Sequence, residues 1–353
     1  MVADYLRQQI VSGTLPPGSQ LPSRRQITQG LGSCVATVHR ALEELERDGF
    51  VESVQGQGTF VTENPPHLSR YAIVLGSDPY GFYSPFTAAL RRHIGDIEKE
   101  RSCHFVLHEN MTGHSDTFEY QELLRDIQSH RLAGLIFSDH ACGPSLPGTP
   151  FMTIPGIPRV LFTGDPQKPP RCPGVASIYN DDHAFLDRAL DHLLERGRHR
   201  VAFLAGVEST KTEDNTTDFL LRVERRGMTA RRRWVLGLSL EAVPRVTELL
   251  LSLPPGERPD GLVLMLESLI KPVGAGIAAS GAGPGRDLDV VAYCNLPGKG
   301  PAPFPMRRLG VDVRERLRIC LDLLDRQRRG ESVPQSVLLQ PVFEEELARS
   351  VVT

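Results

Sequence analysis

The residues best suited to chemistry in this chain lie near its N-terminus, and the chemistry that they suggest is binding to a polyanion. Arg24 and Arg25 precede one short helical pattern, and Thr37, His39 and Arg40 lie near the start of the next. Guanidinium, imidazole and hydroxyl groups donate hydrogen bonds to phosphate oxygens and to base edges. A helix buried in a core has little use for this arrangement, whereas a helix laid against duplex DNA does.

A glycine-rich hairpin is predicted directly after these helices. Following Gly49, the stretch FVESVQGQGTFV alternates apolar and polar residues as a pair of strands does. Its predicted tip is Gln55-Gly56-Gln57-Gly58. Because glycine has no side chain, a backbone can approach a phosphate or the minor groove closely at such a tip. Two or three helices followed by this hairpin make a winged helix-turn-helix.

Three helical patterns would position the polar cluster. Helices are predicted over residues 2–12, 24–30 and 34–48. In the third helix, Val38, Leu42 and Leu45 recur at helical spacing and are expected to face the core. The polar cluster then lies off the buried stripe and near the helix N-terminus. That end is the part of a recognition helix that reaches base edges.

Many positions of this region form one pattern, and the pattern is similar to that of a known family. The shared positions are Gly13, Leu15, Pro17-Gly18, Leu21-Pro22-Ser23, Arg25, Thr37-Val38, Ala41-Leu42 and Gly56-Gln57-Gly58-Thr59-Phe60-Val61. They resemble the DNA-binding domain of the GntR family of bacterial transcription regulators. The resemblance implies that Arg25, Thr37, Arg40 and the wing glycines contact DNA. We expect Arg24, His39, Gln55 and Gln57 to lie on the same surface.

Two features depart from the family pattern. The recognition helix usually begins Val-Ser-Arg, but this chain has Ser33-Cys34-Val35, so one common base-reading arginine is missing. The sequence also starts close to where the first helix should already be under way. Plainer alternatives stay open for the polar residues. Arg24 and Arg25 could be ordinary surface charges, Thr37 a packing residue and His39 a solvated side chain.

From residue 70 onward, short apolar runs alternate with helical patterns. Strands are predicted at 71–76, 103–109, 132–138, 159–164, 200–206, 260–266 and 289–294, and helices at 84–100, 118–130, 182–196, 215–227, 241–252, 268–281 and 311–329. Such strands predict a parallel sheet covered on both faces, and therefore an α/β fold. The Pro/Gly-rich region 144–158 is expected to be a surface loop. The predicted domains are 1–62, a linker at 63–69, and 70–348.

Landmarks of this second region carry a weaker resemblance. The segments YAIVLGSDPYGFYSPFTAAL, LAGLIFS, IPRVLFTGD and RPDGLVLM resemble the two-lobed, periplasmic-binding-protein-like (type I) effector domain of LacI-type regulators. In that fold a small ligand binds outside the carboxyl ends of the strands. The candidate effector-binding residues are Asp78, Phe82, Tyr83, Phe86, Asp139, Asp181, Asn215 and Glu267. Each also has a structural alternative. A sugar is one candidate ligand, but Leu266-Glu267 replaces the usual Asn-Asp, so ligand response stays open.

Composition and charge set limits on the function. The net charge is −3, and residues 1–62 hold five arginines against six acidic residues, so attraction to phosphate must come from placement. No apolar run is long enough to span a bilayer and the N-terminus is polar, which predicts a cytoplasmic protein without membrane contact. Six widely spaced cysteines and the pair His104 and His108 do not predict a metal site or a disulfide framework.

These residues bear on three functional classes. The sequence favours a DNA-binding transcription regulator, acting as a repressor and a homodimer on double-stranded operator DNA. An enzyme is the alternative, in which Lys271 of SLIKPVGAGI would hold pyridoxal phosphate, but no other catalytic motif is present. We therefore predict no enzyme activity and no cofactor. A regulator whose second domain only dimerises also stays open, while an exported solute-binding protein would need an export signal.

Overall fold

The computed structural model describes residues 2–76, 84–138, 141–163, 172–207 and 213–349. The chain divides into two compact units, and the N-terminal domain belongs to the same unit as the first of two large sheets. Within the described ranges, no helix has the length and apolar character needed to cross a membrane. The same ranges contain no group of three or more His, Cys, Asp or Glu residues that could hold a metal ion.

The N-terminal domain has three helices and a two-stranded hairpin. They are α1 (Val2–Val11), α2 (Arg24–Gly30), α3 (Val35–Arg47), β1 (Val51–Val54) and β2 (Gly58–Val61). The two strands pair antiparallel, with Val51 opposite Val61. The apolar stripe predicted for α3 is buried, since Val38 and Leu45 are 0% exposed and Leu42 is 5% exposed. The winged helix-turn-helix predicted from periodicity is therefore the fold of this region.

The residues after the hairpin pack against the N-terminal domain. The short helix α4 (Pro66–Ser69) lies within the segment expected to be a linker, and Pro66 is buried. The His67 ring stacks on Phe50, with centroids 5.9 Å apart and planes within 11°. The Nδ1 atom of His67 is buried and has no hydrogen-bond partner among the described residues. The segment is thus a packed turn rather than a freely solvated tether.

We expect the burial of His67 to make the stability of this junction pH-dependent. Burial, together with the positive charges of Arg328 and His130, lowers the pKa of His67 to about 4 from 6.5. The unfolded chain therefore takes up the proton first as the pH falls, and stability decreases between pH 6.5 and 4. Urea unfolding at a series of pH values measures this slope.

The matched variant for that experiment is His67→Phe, which keeps a stacking ring but cannot titrate. Its stability should fall less steeply with acid than that of the wild type. Burial also lowers the pKa values of His108 and His130, so part of the slope should persist in the variant. Identical slopes for the two proteins would show that His67 is not the group responsible.

The first large sheet has six strands with helices in the connections. The strands are β3 (Arg70–Val74), β4 (His104–His108), β5 (Gly134–Phe137), β6 (Arg159–Thr163), β7 (Ala176–Asn180) and, from much later in the chain, β13 (Ser336–Leu339). Their order is β13-β7-β6-β5-β3-β4, and the pairs from β4 to β7 are parallel. The connecting helices are α5 (Pro85–Arg101), α6 (Phe118–Gln128) and α7 (Pro150–Thr153).

The second large sheet also has six strands. They are β8 (Val201–Gly206), β9 (Val235–Leu238), β10 (Gly261–Leu264), β11 (Asp289–Leu296), β12 (Arg307–Asp312) and β14 (Val342–Phe343), in the order β14-β12-β11-β10-β8-β9. Only the β12–β14 pair is antiparallel. The remaining helices are α8 (Asp182–Glu195), α9 (Glu213–Arg225), α10 (Val243–Leu251), α11 (Ile270–Ser280), α12 (Val313–Arg328) and α13 (Glu344–Arg349).

The prediction for residues 144–158, between β5 and β6 of the first large sheet, was wrong. Residues 144–158 were expected to form a surface loop, but they include a 3-10 turn (Gly143–Gly148) and helix α7. Leu146 and Phe151 are fully buried, and the Phe151 ring lies 4.4 Å from that of Tyr120. Most proline and glycine residues of this segment are exposed, but Leu146 and Phe151 between them pack into the core beneath the sheet.

Candidate nucleic-acid interface

Every residue predicted to contact DNA is exposed on the N-terminal domain. The exposed positions are Arg24, Arg25, Thr37, His39, Arg40, Gln55, Gly56, Gln57 and Gly58. Three segments carry them: the start of α2, the first half of α3 and the turn between β1 and β2. Each of the three segments is held in place by its own local hydrogen bonds.

A capping box sets the start of α2 and therefore the positions of the two arginines. The Gln26 N–H donates to Ser23 Oγ at 3.3 Å, and the Ser23 N–H donates to Gln26 Oε1 at 2.8 Å. Each side chain thereby satisfies a backbone donor that the helix cannot pair internally. Arg24 and Arg25 follow the cap directly, so both guanidinium groups project from the first turn of α2.

Helix α3 begins with a turn of small side chains. Cys34 Sγ and Thr37 Oγ1 lie 3.0 Å apart, and this hydrogen bond lowers the pKa of the Cys34 thiol. His39 and Arg40 follow in the next turn, where His39 Nδ1 lies 3.2 Å from Oε1 of Glu43. The buried stripe of α3 points the opposite way, so the first half of the helix presents its polar face outward.

The hairpin tip depends on glycine and on a contact that the sequence analysis missed. Gly56 and Gly58 have φ angles of +77° and +126°, which other residues rarely adopt. The Gln20 side chain donates from Nε2 to the carbonyl oxygen of Gln57 at 2.6 Å. No local pattern marks Gln20 for this role, since it precedes Gln57 by 37 residues.

Additional bonds join the hairpin to the helices. The carboxylate of Glu46 on α3 accepts the Ser53 N–H at 3.1 Å, and the Leu21 N–H donates to the Thr59 carbonyl at 2.8 Å. A groove of about 660 Å³ runs between the start of α2 and the hairpin, and its lining includes Arg24 and the whole hairpin tip. The structure thus brings Arg24 and the predicted wing residues to one groove.

We predict that Gly58→Ala destabilises this hairpin. A Cβ atom at Gly58 would lie 2.6 Å from Gln20 Nε2, and its φ of +126° is strained for alanine. We expect a loss of about 1–2 kcal/mol in the free energy of unfolding. Gly30→Ala is the matched control, because its Cβ would meet nothing within 4 Å. Urea unfolding should show the control unchanged or slightly stabilised. Equal losses in both variants would show that the backbone conformation of Gly58 and its contact with Gln20 are not the cause.

A chain of buried charges links the end of α3 to the first sheet unit. The Arg7 side chain is 4% exposed and contacts Glu44 at 2.8 Å and Asp48 at 3.1 Å. The other oxygen of Asp48 lies 3.1 Å from Arg131, which in turn contacts the buried Asp126 at 2.5 Å. Asp48 is the residue that ends α3. The recognition helix is therefore tied through Asp48 to the segment that follows α6.

The described candidates for effector binding already have intramolecular partners. The Arg316 guanidinium lies 5.1 Å from the Phe86 ring centroid. Asp181 caps α8 by accepting the Ala184 N–H at 2.9 Å. Glu267 Oε2 accepts both the backbone and the side-chain N–H of Asn295 at 2.9 Å. Asp78, Phe82, Tyr83, Asp139 and the Asn215 side chain lie outside the described residues, so the effector site stays a prediction.

Lys271 bears on the enzyme alternative. Its side chain is exposed on α11. A lysine that holds a cofactor as a Schiff base is normally enclosed in a pocket, where desolvation keeps its amine reactive. This placement does not support the pyridoxal phosphate hypothesis.

Residues 1–61 match the family described as bacterial regulatory proteins, gntR family. They are also similar to the mannosyl-D-glycerate transport/metabolism system repressor of Escherichia coli strain K12, with 40% identity over 62 residues. That match covers 18% of this chain and 26% of the repressor, so the chain aligns with about a quarter of that relative's length.

Two further comparisons extend beyond the N-terminal domain. The arabinose metabolism transcriptional repressor of Geobacillus stearothermophilus is 22% identical over 291 residues, covering 80% of this chain and 78% of that protein. A LacI family transcriptional regulator from Lactobacillus casei, solved with bound glucose, aligns with a TM-score of 0.55 at 21% identity. The alignment covers 78% of this chain and 98% of that regulator. All of these proteins are named as regulators rather than enzymes. The chain therefore joins an N-terminal helix-turn-helix domain that matches the gntR family to a domain with the fold of LacI-type regulators.

Proposed function

We propose that this protein is a sequence-specific DNA-binding transcription regulator that acts as a ligand-responsive repressor. The observation that carries the proposal is the common exposure of the α2 start, the first half of α3 and the glycine tip of the hairpin. A recognition helix reads base edges with its N-terminal residues, while a wing contacts the adjoining backbone. The exposed residues of these three segments have the chemistry that both tasks require.

The distribution of charge within the N-terminal domain supports this orientation. Although residues 1–62 have more acidic than basic side chains, Glu44 and Asp48 are paired with Arg7, and Glu46 is bonded to Ser53. These carboxylates lie in the second half of α3 and beyond, away from the helix start. Apart from Glu43, whose exposed carboxylate lies 3.2 Å from His39, the charged groups exposed near the helix start are basic, despite the unfavourable net charge.

The partners follow from the same proposal. Two half-sites about 34–36 Å apart require two recognition helices, so the protein would act as a homodimer on duplex operator DNA in the cytoplasm. The effector proposed is a sugar. The relative that aligns over most of the chain is named for arabinose metabolism, and the structure of similar fold was solved with glucose. A sugar that favours one conformation would shift the population of DNA-competent dimers.

Selection of genomic DNA fragments by the purified protein tests the central part of the proposal. We expect recovery of few sites that share an inverted repeat with half-sites about one helical turn apart. Adding pentoses and hexoses one at a time to the complex should then reveal a sugar that lowers operator affinity. Recovery of fragments without any shared sequence would contradict sequence-specific regulation.

A regulator whose second domain only dimerises is the other candidate. It is favoured by the bonds that Asp181 and Glu267 make within the protein, since a polar group already satisfied has less to offer a ligand. In that case the genomic selection would succeed, the protein would stay dimeric, and no sugar would change its affinity for the operator.

A further inference from the structure

The first turn of α3 presents apolar and small side chains to solvent at the end that would enter the groove. Cys34, Val35, Ala36 and Thr37 are all exposed, and none of them carries a full charge in its side chain. Val35 is 65% exposed, second only to Phe118 among the large apolar side chains that the structure describes as exposed. A valine in this position gains nothing from the core of its own domain.

Helical spacing places Val35 on the DNA-facing side of α3. Residues four apart lie above one another on a helix, so Val35 precedes His39 by one turn and Ala36 precedes Arg40. The Cys34 and Thr37 side chains are bonded to each other at 3.0 Å, so their polar atoms are partly satisfied within the turn. The Val35 methyl groups are then the outermost apolar atoms next to the exposed basic pair.

The major groove offers one apolar group that distinguishes bases, namely the C5 methyl of thymine. Guanine and adenine present acceptors and donors there, which pair with Arg, Lys, Asn or Gln. The small side chains of Cys34 and Ala36 let the helix end approach the base edges closely. A branched aliphatic side chain at this position therefore has a single matching feature on duplex DNA.

We propose that Val35, with Ala36 beside it, is a specificity-determining residue that recognises a thymine methyl group in each operator half-site. This proposal rests on the proposed function, because it assumes that α3 enters the major groove. The first turn of α3 distinguishes thymine from the other bases by apolar contact, while Arg40 and His39 supply the polar contacts one turn later. Duplex sites rich in guanine opposite the helix start would be rejected.

Replacing single thymines of the genomically selected operator by deoxyuridine tests the proposal, because this change removes only the methyl group. One position in each half-site should lose about fourfold in affinity, as expected for one buried methyl group. The Val35→Ala variant alters both protomers of the dimer, so it should bind the thymine operator about as weakly as the wild type binds an operator with deoxyuridine at that position in both half-sites. It should also have lost discrimination between the two.

Leu249→Ala is the control variant, since Leu249 is a 62% exposed aliphatic side chain on helix α10, outside the N-terminal domain. It should keep the full preference for thymine. If the wild type binds every deoxyuridine duplex as tightly as the thymine duplex, or if Val35→Ala keeps the preference, the proposal is overturned. Failure of the proposed function gives a different result, namely no selective binding to any duplex.

Discussion

Replacing Arg25 and Arg40 together by alanine is expected to weaken operator binding by at least about 100-fold. Each guanidinium can make paired hydrogen bonds to a base edge or a phosphate, and each such contact contributes about 1–3 kcal/mol. Both side chains are exposed, so their removal leaves no buried group without a partner. Fluorescence anisotropy with the genomically selected operator measures the change, at one fixed salt concentration because affinity depends steeply on salt.

Arg47→Ala is the matched control for the arginine pair. Arg47 is also exposed and lies on the same helix, but about 10 Å along the axis from Arg40, two turns further from the helix start at 1.5 Å per residue. We expect its affinity to stay within about twofold of the wild type, because an exposed charge remote from the groove adds little. A loss as large as that of the pair would mean that binding depends on net charge rather than on placement.

The second large effect is expected at Arg7, which lies within the buried charge chain. Arg7→Met keeps most of the side-chain volume but leaves Asp48, whose side chain is 9% exposed, with one partner fewer, whereas Glu44 is 43% exposed and stays hydrated. Breaking a buried ion pair from one side typically costs about 3 kcal/mol or more. Urea unfolding of the full chain should therefore show a correspondingly lower free energy of unfolding, with no change in the residues that face DNA.

Arg101→Met supplies the comparison for Arg7. Asp322 lies 2.7 Å and Asp325 3.6 Å from its guanidinium, and the side chains of Arg101, Asp322 and Asp325 are 31%, 58% and 21% exposed. Exposed pairs contribute less than about 1 kcal/mol, so this variant should be nearly as stable as the wild type. Equal losses in the two variants would show that burial does not decide the contribution of Arg7.

Local sequence patterns predicted seven of the twelve strands that the structure describes after residue 69, because apolar periodicity reports directly which face of a segment is buried; β7, β9, β12, β13 and β14 were not predicted. The predicted strand at 200–206 and the observed β8 (Val201–Gly206) differ by one residue. The α3 stripe was likewise read from spacing alone. Composition was a poorer guide in region 144–158, where Phe151 is buried although proline and glycine surround it. Turn-forming residues report where the backbone bends, not whether the bend is covered.

Contacts between distant parts of the chain could not be predicted. Asp48 is joined to Arg7 and to Arg131, which are 41 and 83 residues away in sequence. No spacing rule links such positions. The exposed candidates of the DNA-facing surface were recognisable because their types and order carry a family resemblance. The effector candidates had no comparable motif, since Leu266-Glu267 stands where the resemblance predicts an Asn-Asp pair.

Hydrogen exchange of the backbone amides, measured with and without the selected operator, tests the central claim most directly. The first amides of α3 have no acceptor within the helix and should exchange fast in the free protein. On adding operator, we predict slower exchange at residues 34–40 and 55–58, with little change along the second half of α3. Unchanged exchange in both segments, with protection only beyond residue 70, would contradict the assignment of this surface to DNA.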